Sequence, residues 1–175
     1  PTTRKPILIM HENGSLDATD LIASDFEIKR VKNPLYESIL MIDCPDPDTN
    51  EQETAGSNLE RLHRLLPHCD VLVYTTTQQK YHSARVNKEL AMAAPGCRLI
   101  LVQTNADLDV DIREDWKKLL ASGYQVAEMF FVDSLTAFRE QQAGEKPSGE
   151  FGRMLGTLQR ELSTVKHLAI RRENL

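Results

Sequence analysis

The chain predicts an α/β fold on a mainly parallel sheet, and three features carry that expectation. Five short apolar runs recur, helical stripes fall between the later runs, and polar residues gather directly after the runs. The expected architecture has three layers with an antiparallel strand at one edge, and it is expected to be truncated at the N-terminus.

The first run, Ile7-Leu8-Ile9-Met10, follows directly on Pro1-Thr2-Thr3-Arg4-Lys5-Pro6. The others are Ile39-Leu40-Met41-Ile42, Val71-Leu72-Val73-Tyr74, Leu99-Ile100-Leu101-Val102 and Met129-Phe130-Phe131-Val132. All are short and continuous rather than alternating, which suits strands covered on both faces. Between the first two runs Phe26-Glu27-Ile28-Lys29-Arg30-Val31 looks extended and is expected to form the antiparallel edge. Ser57 and Glu60 have capping-box spacing ahead of Leu59, Leu62, Leu65 and Leu66. A second stripe carries Val86, Leu90 and Ala94, and a third Ile112, Trp116, Leu119 and Leu120. The last carries Phe151, Met154, Leu155, Leu158 and Leu162. Alternating strands and helices predict βαβ crossovers. Residues 45–56 and 141–149 are polar, contain Pro and Gly, and read as flexible loops.

The length of 175 residues suits one domain, expected to span the whole chain. A formal charge of −5 does not suggest a broad basic surface, so nucleic acid is not an expected partner. Cys44, Cys69 and Cys97 are odd in number and far apart, which argues for reduced thiols and a cytoplasmic setting. The abrupt start at Pro1 reads as a cut inside a larger protein.

In doubly wound sheets ligands sit beyond the carboxyl ends of the strands. Asp43-Cys44-Pro45-Asp46 follows the second run and Thr75-Thr76-Thr77 the third. Gln103-Thr104-Asn105-Ala106-Asp107 follows the fourth, and Asp133-Ser134-Leu135 the fifth.

In order and placement these segments resemble the G domain of dynamin-like GTPases of the bacterial type, over nearly the whole chain. Asp43-Cys44-Pro45 resembles switch II, Asp-Thr-Pro-Gly; Thr104-Asn105-Ala106-Asp107 resembles the base motif Asn/Thr-Lys-x-Asp; Pro1-Thr2-Thr3-Arg4-Lys5-Pro6 resembles switch I. The resemblance implies a GTP- and GDP-binding domain running from switch I to the last helix. Thr3 would be catalytic and a Mg²⁺ ligand, and Asp43 would hold Mg²⁺ through a bound water. Pro45 and Asp46 would complete switch II, while Thr104, Asn105, Asp107, Ser134 and Leu135 would meet the nucleotide. It further implies Mg²⁺ with GTP, contacts with further copies of the chain, and peripheral membrane association through regions outside 1–175. Two positions depart from the pattern. Asp46 stands where the family has glycine and adds negative charge near the γ-phosphate; Asn105 replaces the lysine whose stem covers the guanine face. No Gly-x-x-x-x-Gly-Lys-Ser/Thr loop occurs. Gly144-Glu-Lys-Pro-Ser-Gly149 lacks both the cation and the hydroxyl and follows no strand, so it is rejected. The phosphate loop is expected upstream of Pro1, and the chain alone is expected to hydrolyse GTP hardly at all.

Plainer readings stand beside these. Asp43 could simply end a strand, Asp107 could belong to a solvated helix start with Asp109 and Asp111, and Ser134 could cap a turn. His63, His68 and His82 read as solvated, and Cys69 and Cys97 as small fillers. The alternative functions are a degenerate, non-hydrolysing G-domain scaffold or regulatory module, and a phospho-acceptor domain using Asp43.

Overall fold

The computed structural model describes residues 5–16, 22–44, 57–81, 90, 97–120 and 126–173, with side chains described up to residue 163. The chain is of mixed α/β type and divides into two compact units, Pro1–Leu65 and Leu66–Leu175.

In the first unit, strands β1 (Ile7–His11), β2 (Glu27–Val31) and β3 (Met41–Asp43) form a mixed sheet in the order β2-β1-β3. The antiparallel edge strand expected in this part of the chain is present, but β3 supplies it rather than Phe26 to Val31. β2 runs parallel to β1, and β3 is the antiparallel neighbour. The reason is the long connection after β1, which allows a crossover where a hairpin would need only a few residues. β1 also differs from its expected two-sided burial. Leu8 and Met10 are buried with Phe26 and Leu65, while Ile7, Ile9 and His11 are only partly covered. Helix α1 (Asn58–Leu65) starts where expected, because the Glu60 N–H donates to Ser57 Oγ at 3.1 Å. His63 departs from the solvated reading: its apolar-facing position on α1 leaves it 5% exposed.

In the second unit, β4 (Val71–Thr76), β5 (Arg98–Gln103) and β6 (Val126–Phe131) form an all-parallel sheet with β5 central. The continuous apolar run of β5 has a clear structural consequence, since successive side chains point to opposite faces. Leu99 and Leu101 pack with Leu90, Ile112, Trp116 and Leu120 on one face. Ile100 and Val102 pack with Phe130, Val132 and Met154 on the other. Helix α2 (Arg113–Leu120) supplies the first cover and α4 (Gly149–Glu173) the second. Leu119 departs from the expected stripe and is 42% exposed, because Trp116 and Leu120 already fill the buried side of this two-turn helix. Of the second stripe, Leu90 is helical and buried, whereas Val86 and Ala94 lie outside the described residues.

α4 is tied to the sheet by polar contacts as well. Glu128 on β6 accepts from Thr157 Oγ1 at 2.7 Å and from Arg153 at 3.0 Å, and Arg98 on β5 donates to Glu161 at 2.8 Å. Helix α3 (Ser134–Gln142) precedes it. The connection between them, expected to be flexible, is instead pinned: the Ser148 N–H donates to Glu140 Oε2 at 2.8 Å, and the Ser148 hydroxyl donates to Oε1. Gly144 and Gly149 take φ of 78° and 57° at its two ends, so the glycine spacing rejected as a phosphate loop is a helix-to-helix turn. The segment 45–56 lies outside the described residues. The Cys69 and Cys97 thiols are half-buried, and burial together with nearby Cys69 pushes Cys97 up to about 11, so it stays protonated at neutral pH. Among the described residues no helix is long and apolar enough to cross a membrane.

Candidate functional site

The second unit gathers its candidate residues where the chain leaves β5 and β6. Parallel strands end on one side of their sheet, so the loops after β4, β5 and β6 are neighbours by topology. Hydrogen bonds join them. The Thr104 N–H and hydroxyl both donate to the Thr76 carbonyl, at 2.9 and 3.3 Å, linking the ends of β4 and β5. The Ala106 N–H donates to the Val132 carbonyl at 3.1 Å, linking the loop after β5 to the loop after β6.

Within the loop after β5, Asn105 takes φ of 62°. Asparagine tolerates this left-handed conformation better than most side chains. Its carbonyl then accepts from both the Leu108 and Asp109 N–H groups, at 2.9 and 2.8 Å, closing a tight turn with Asp107 exposed on it. Asn105→Val is expected to destabilise the chain by about 1–2 kcal/mol in urea denaturation, and Asn105→Gly to be tolerated. An Asn105→Val midpoint equal to that of the parent chain would contradict the backbone account.

Two glutamines frame the turn. Gln103 Nε2 donates to the Val110 carbonyl at 2.7 Å, and its Oε1 accepts the Ile112 N–H at 3.0 Å. Gln78 offers its N–H to Asp109 Oδ2 at 3.1 Å and accepts the Val110 N–H at 3.0 Å. Asp109 is therefore a loop clamp, and Asp111 pairs with Arg113 at 2.6 Å, so the acids around Asp107 are engaged rather than simply solvated. Both glutamines stand in segments that the sequence singles out, but neither carries an expected role there. The visible signal for Gln103 was an amide closing an otherwise apolar strand; Gln78 had none.

Ser134 and Leu135 form the first turn of α3. Asp133 is its N-cap, accepting the Thr136 N–H at 2.9 Å and the Thr136 hydroxyl at 2.6 Å. The capping role considered for Ser134 belongs to Asp133. The Ser134 N–H is at the first helical position, where no intrahelical acceptor exists.

Charge around the rim has a definite pH behaviour. Arg113 holds Asp111 below its usual range, Thr136 does the same for Asp133, and Ser148 for Glu140. Groups depressed in the folded chain contribute stability above their unfolded value of about 4, and that contribution is lost as pH falls through the lower folded value. The melting temperature is expected to fall modestly below about pH 4, and Asp111→Asn to flatten part of that fall. A pH profile unchanged by the substitution would contradict this. Arg113 also reaches Glu150 at 3.1 Å, and Glu150 accepts the Phe131 N–H at 3.1 Å, fixing the end of β6.

In the first unit the antiparallel register sets Asp43 opposite Ile7, so the end of β3 lies beside the start of β1. Asp43 is exposed there, while Thr3, Pro45 and Asp46 lie outside the described residues. An exposed carboxylate suits a hard cation by donor type. Among the described residues no group of three His, Cys, Asp or Glu is arranged to hold a metal, so Asp43 alone does not make a site. A groove of about 580 Å³ runs along α2 and β6, lined by residues such as Arg113, Lys117 and Glu128, and includes none of the loop residues implied for the nucleotide.

Comparison with family models, with curated proteins and with solved structures gives no match to this chain.

Proposed function

We propose that this chain is a GTP-binding domain of the dynamin-like type, and that the loops after β5 and β6 read the guanine base. The supporting observation is the Ala106 N–H to Val132 carbonyl bond, which sets the Asp107 turn beside the first turn of α3. An ionised carboxylate only accepts hydrogen bonds, whereas backbone N–H groups only donate. Asp107 can thus take the two N–H donors on one edge of guanine, and the Ser134 amide, with the Leu135 amide shared with Asp133 beside it, would meet its carbonyl oxygen. Adenine presents a donor where guanine has that oxygen and lacks the pair of donors, so it mismatches at both places.

Asp43 and Thr3 belong to the same proposal as the Mg²⁺ side of the domain, with GTP as its companion. No catalytic step is assigned to them. The chain contains no Gly-Lys-Ser/Thr phosphate loop, so base recognition rather than phosphoryl transfer is what its residues can perform. The three-layer P-loop arrangement, a cytoplasmic or membrane-peripheral setting and contacts between copies follow from the same proposal.

The test is calorimetry with diphosphates of different bases. Asp107→Asn exchanges one acceptor for a donor, so it should weaken GDP by about tenfold or more, about 1.4 kcal/mol or more, and favour xanthosine 5′-diphosphate, whose second carbonyl accepts. Unchanged GDP binding in that variant would sink the proposal.

A further inference from the structure

We infer that Gln103 is the positioning residue of the base-reading loop, holding residues 104–112 in shape before nucleotide arrives, with Gln78 as its outer partner. The inference rests on the guanine reading above and adds what makes that site competent.

Gln103 closes β5 and is 0% exposed. A buried amide is costly unless both of its ends are satisfied. Here both ends are satisfied by the backbone of one downstream stretch, the Val110 carbonyl at 2.7 Å and the Ile112 N–H at 3.0 Å. Burying this side chain therefore closes the loop. Short of the buried Ile112 at its far end, the loop has little apolar packing to hold it: Leu108 is 82% exposed and Val110 68%. Gln78, exposed just past the end of β4, adds an outer tie: its backbone N–H donates to Asp109 and its side-chain Oε1 accepts the Val110 N–H. The Asp107 turn lies between these clamps and the Ala106 tie to Val132. A loop fixed in advance loses less freedom when a ligand binds.

The experiment uses the whole chain, ¹⁵N-labelled, with GDP and inosine 5′-diphosphate as probes; the latter lacks the 2-amino donor that Asp107 would bind. Gln103→Leu is expected to weaken GDP about tenfold or more and to collapse the preference for GDP over inosine 5′-diphosphate. Gln103→Glu, whose carboxyl when protonated can donate to the Val110 carbonyl and accept from Ile112, should recover part of both. Amide exchange at Leu108, Asp109 and Ile112 should quicken while Ile100 to Val102 stay protected. Gln78→Ala, which removes only the exposed acceptor for the Val110 N–H and keeps the backbone bond to Asp109, should show the same effects more weakly, and it decides the matter if Gln103→Leu fails to fold. GDP affinity and base preference retained within about twofold in the folded variants overturn the inference, whatever the exchange rates. Absence of GDP binding by the parent chain overturns the guanine reading and this inference together.

Discussion

Trp116→Ala is expected to cost about 3–5 kcal/mol, a large share of the roughly 5–15 kcal/mol of stability that a domain commonly has. Trp116 is 1% exposed, packs among Leu99, Leu101, Ile112 and Leu120, and meets the Tyr74 ring edge-on with centroids 6.3 Å apart. Removing it opens a cavity over one face of the central strand, and the volume is too large for the surrounding leucines to refill. The loss reaches the rim, because Ile112 lies in the same cluster and anchors the far end of the 104–112 loop through Gln103. Urea denaturation followed by circular dichroism gives the value directly. A cost below about 1 kcal/mol would mean that Trp116 is not a core residue of the second unit.

Gly152→Ala is the second large effect. A Cβ at this position would meet the Pro147 carbonyl oxygen at 2.3 Å, well inside contact distance. That oxygen is backbone in a turn already fixed by the Glu140 bonds to Ser148, so it cannot move as a flexible side chain could. Alanine ordinarily favours a helix over glycine by about 1 kcal/mol, and here the sign should reverse. Overpacking costs of this kind run to about 1–3 kcal/mol. The start of α4 also carries Glu150, which binds the Phe131 N–H and Arg113, so the end of β6 should loosen with it. Thermal unfolding of Gly152→Ala at or above the temperature of the parent chain would contradict the crowding.

The parts of the fold that were legible in the sequence are those where burial is local and continuous. β5 reads as a two-sided strand because every residue from Leu99 to Gln103 is buried. α1 reads from its Ser57 cap, and α4 from its apolar stripe. The direction of β2 was not legible, since an extended hexapeptide carries no sign of which neighbour it will join or which way it will run. His63 was misread because a histidine is polar by type, and only its place on the packed side of α1 removes it from water.

At the rim, the sequence pointed to Thr104, Asn105 and Asp107 through residue identity and order. Asn105 looked like a departure from a lysine, yet its φ of 62° gives asparagine a backbone reason to be there. The side-chain clamps were hidden for another reason. Gln78 meets Asp109 and Val110 from another loop, and such pairs leave no periodic or local trace.

The most direct test of guanine recognition is a residue-resolved titration of the ¹⁵N-labelled chain with GDP and, separately, ADP. The account predicts that GDP shifts the amide signals of Asn105, Asp107, Ser134 and Leu135 while ADP leaves them in place. Equal responses to both nucleotides, or no response of these four amides to GDP, would contradict it.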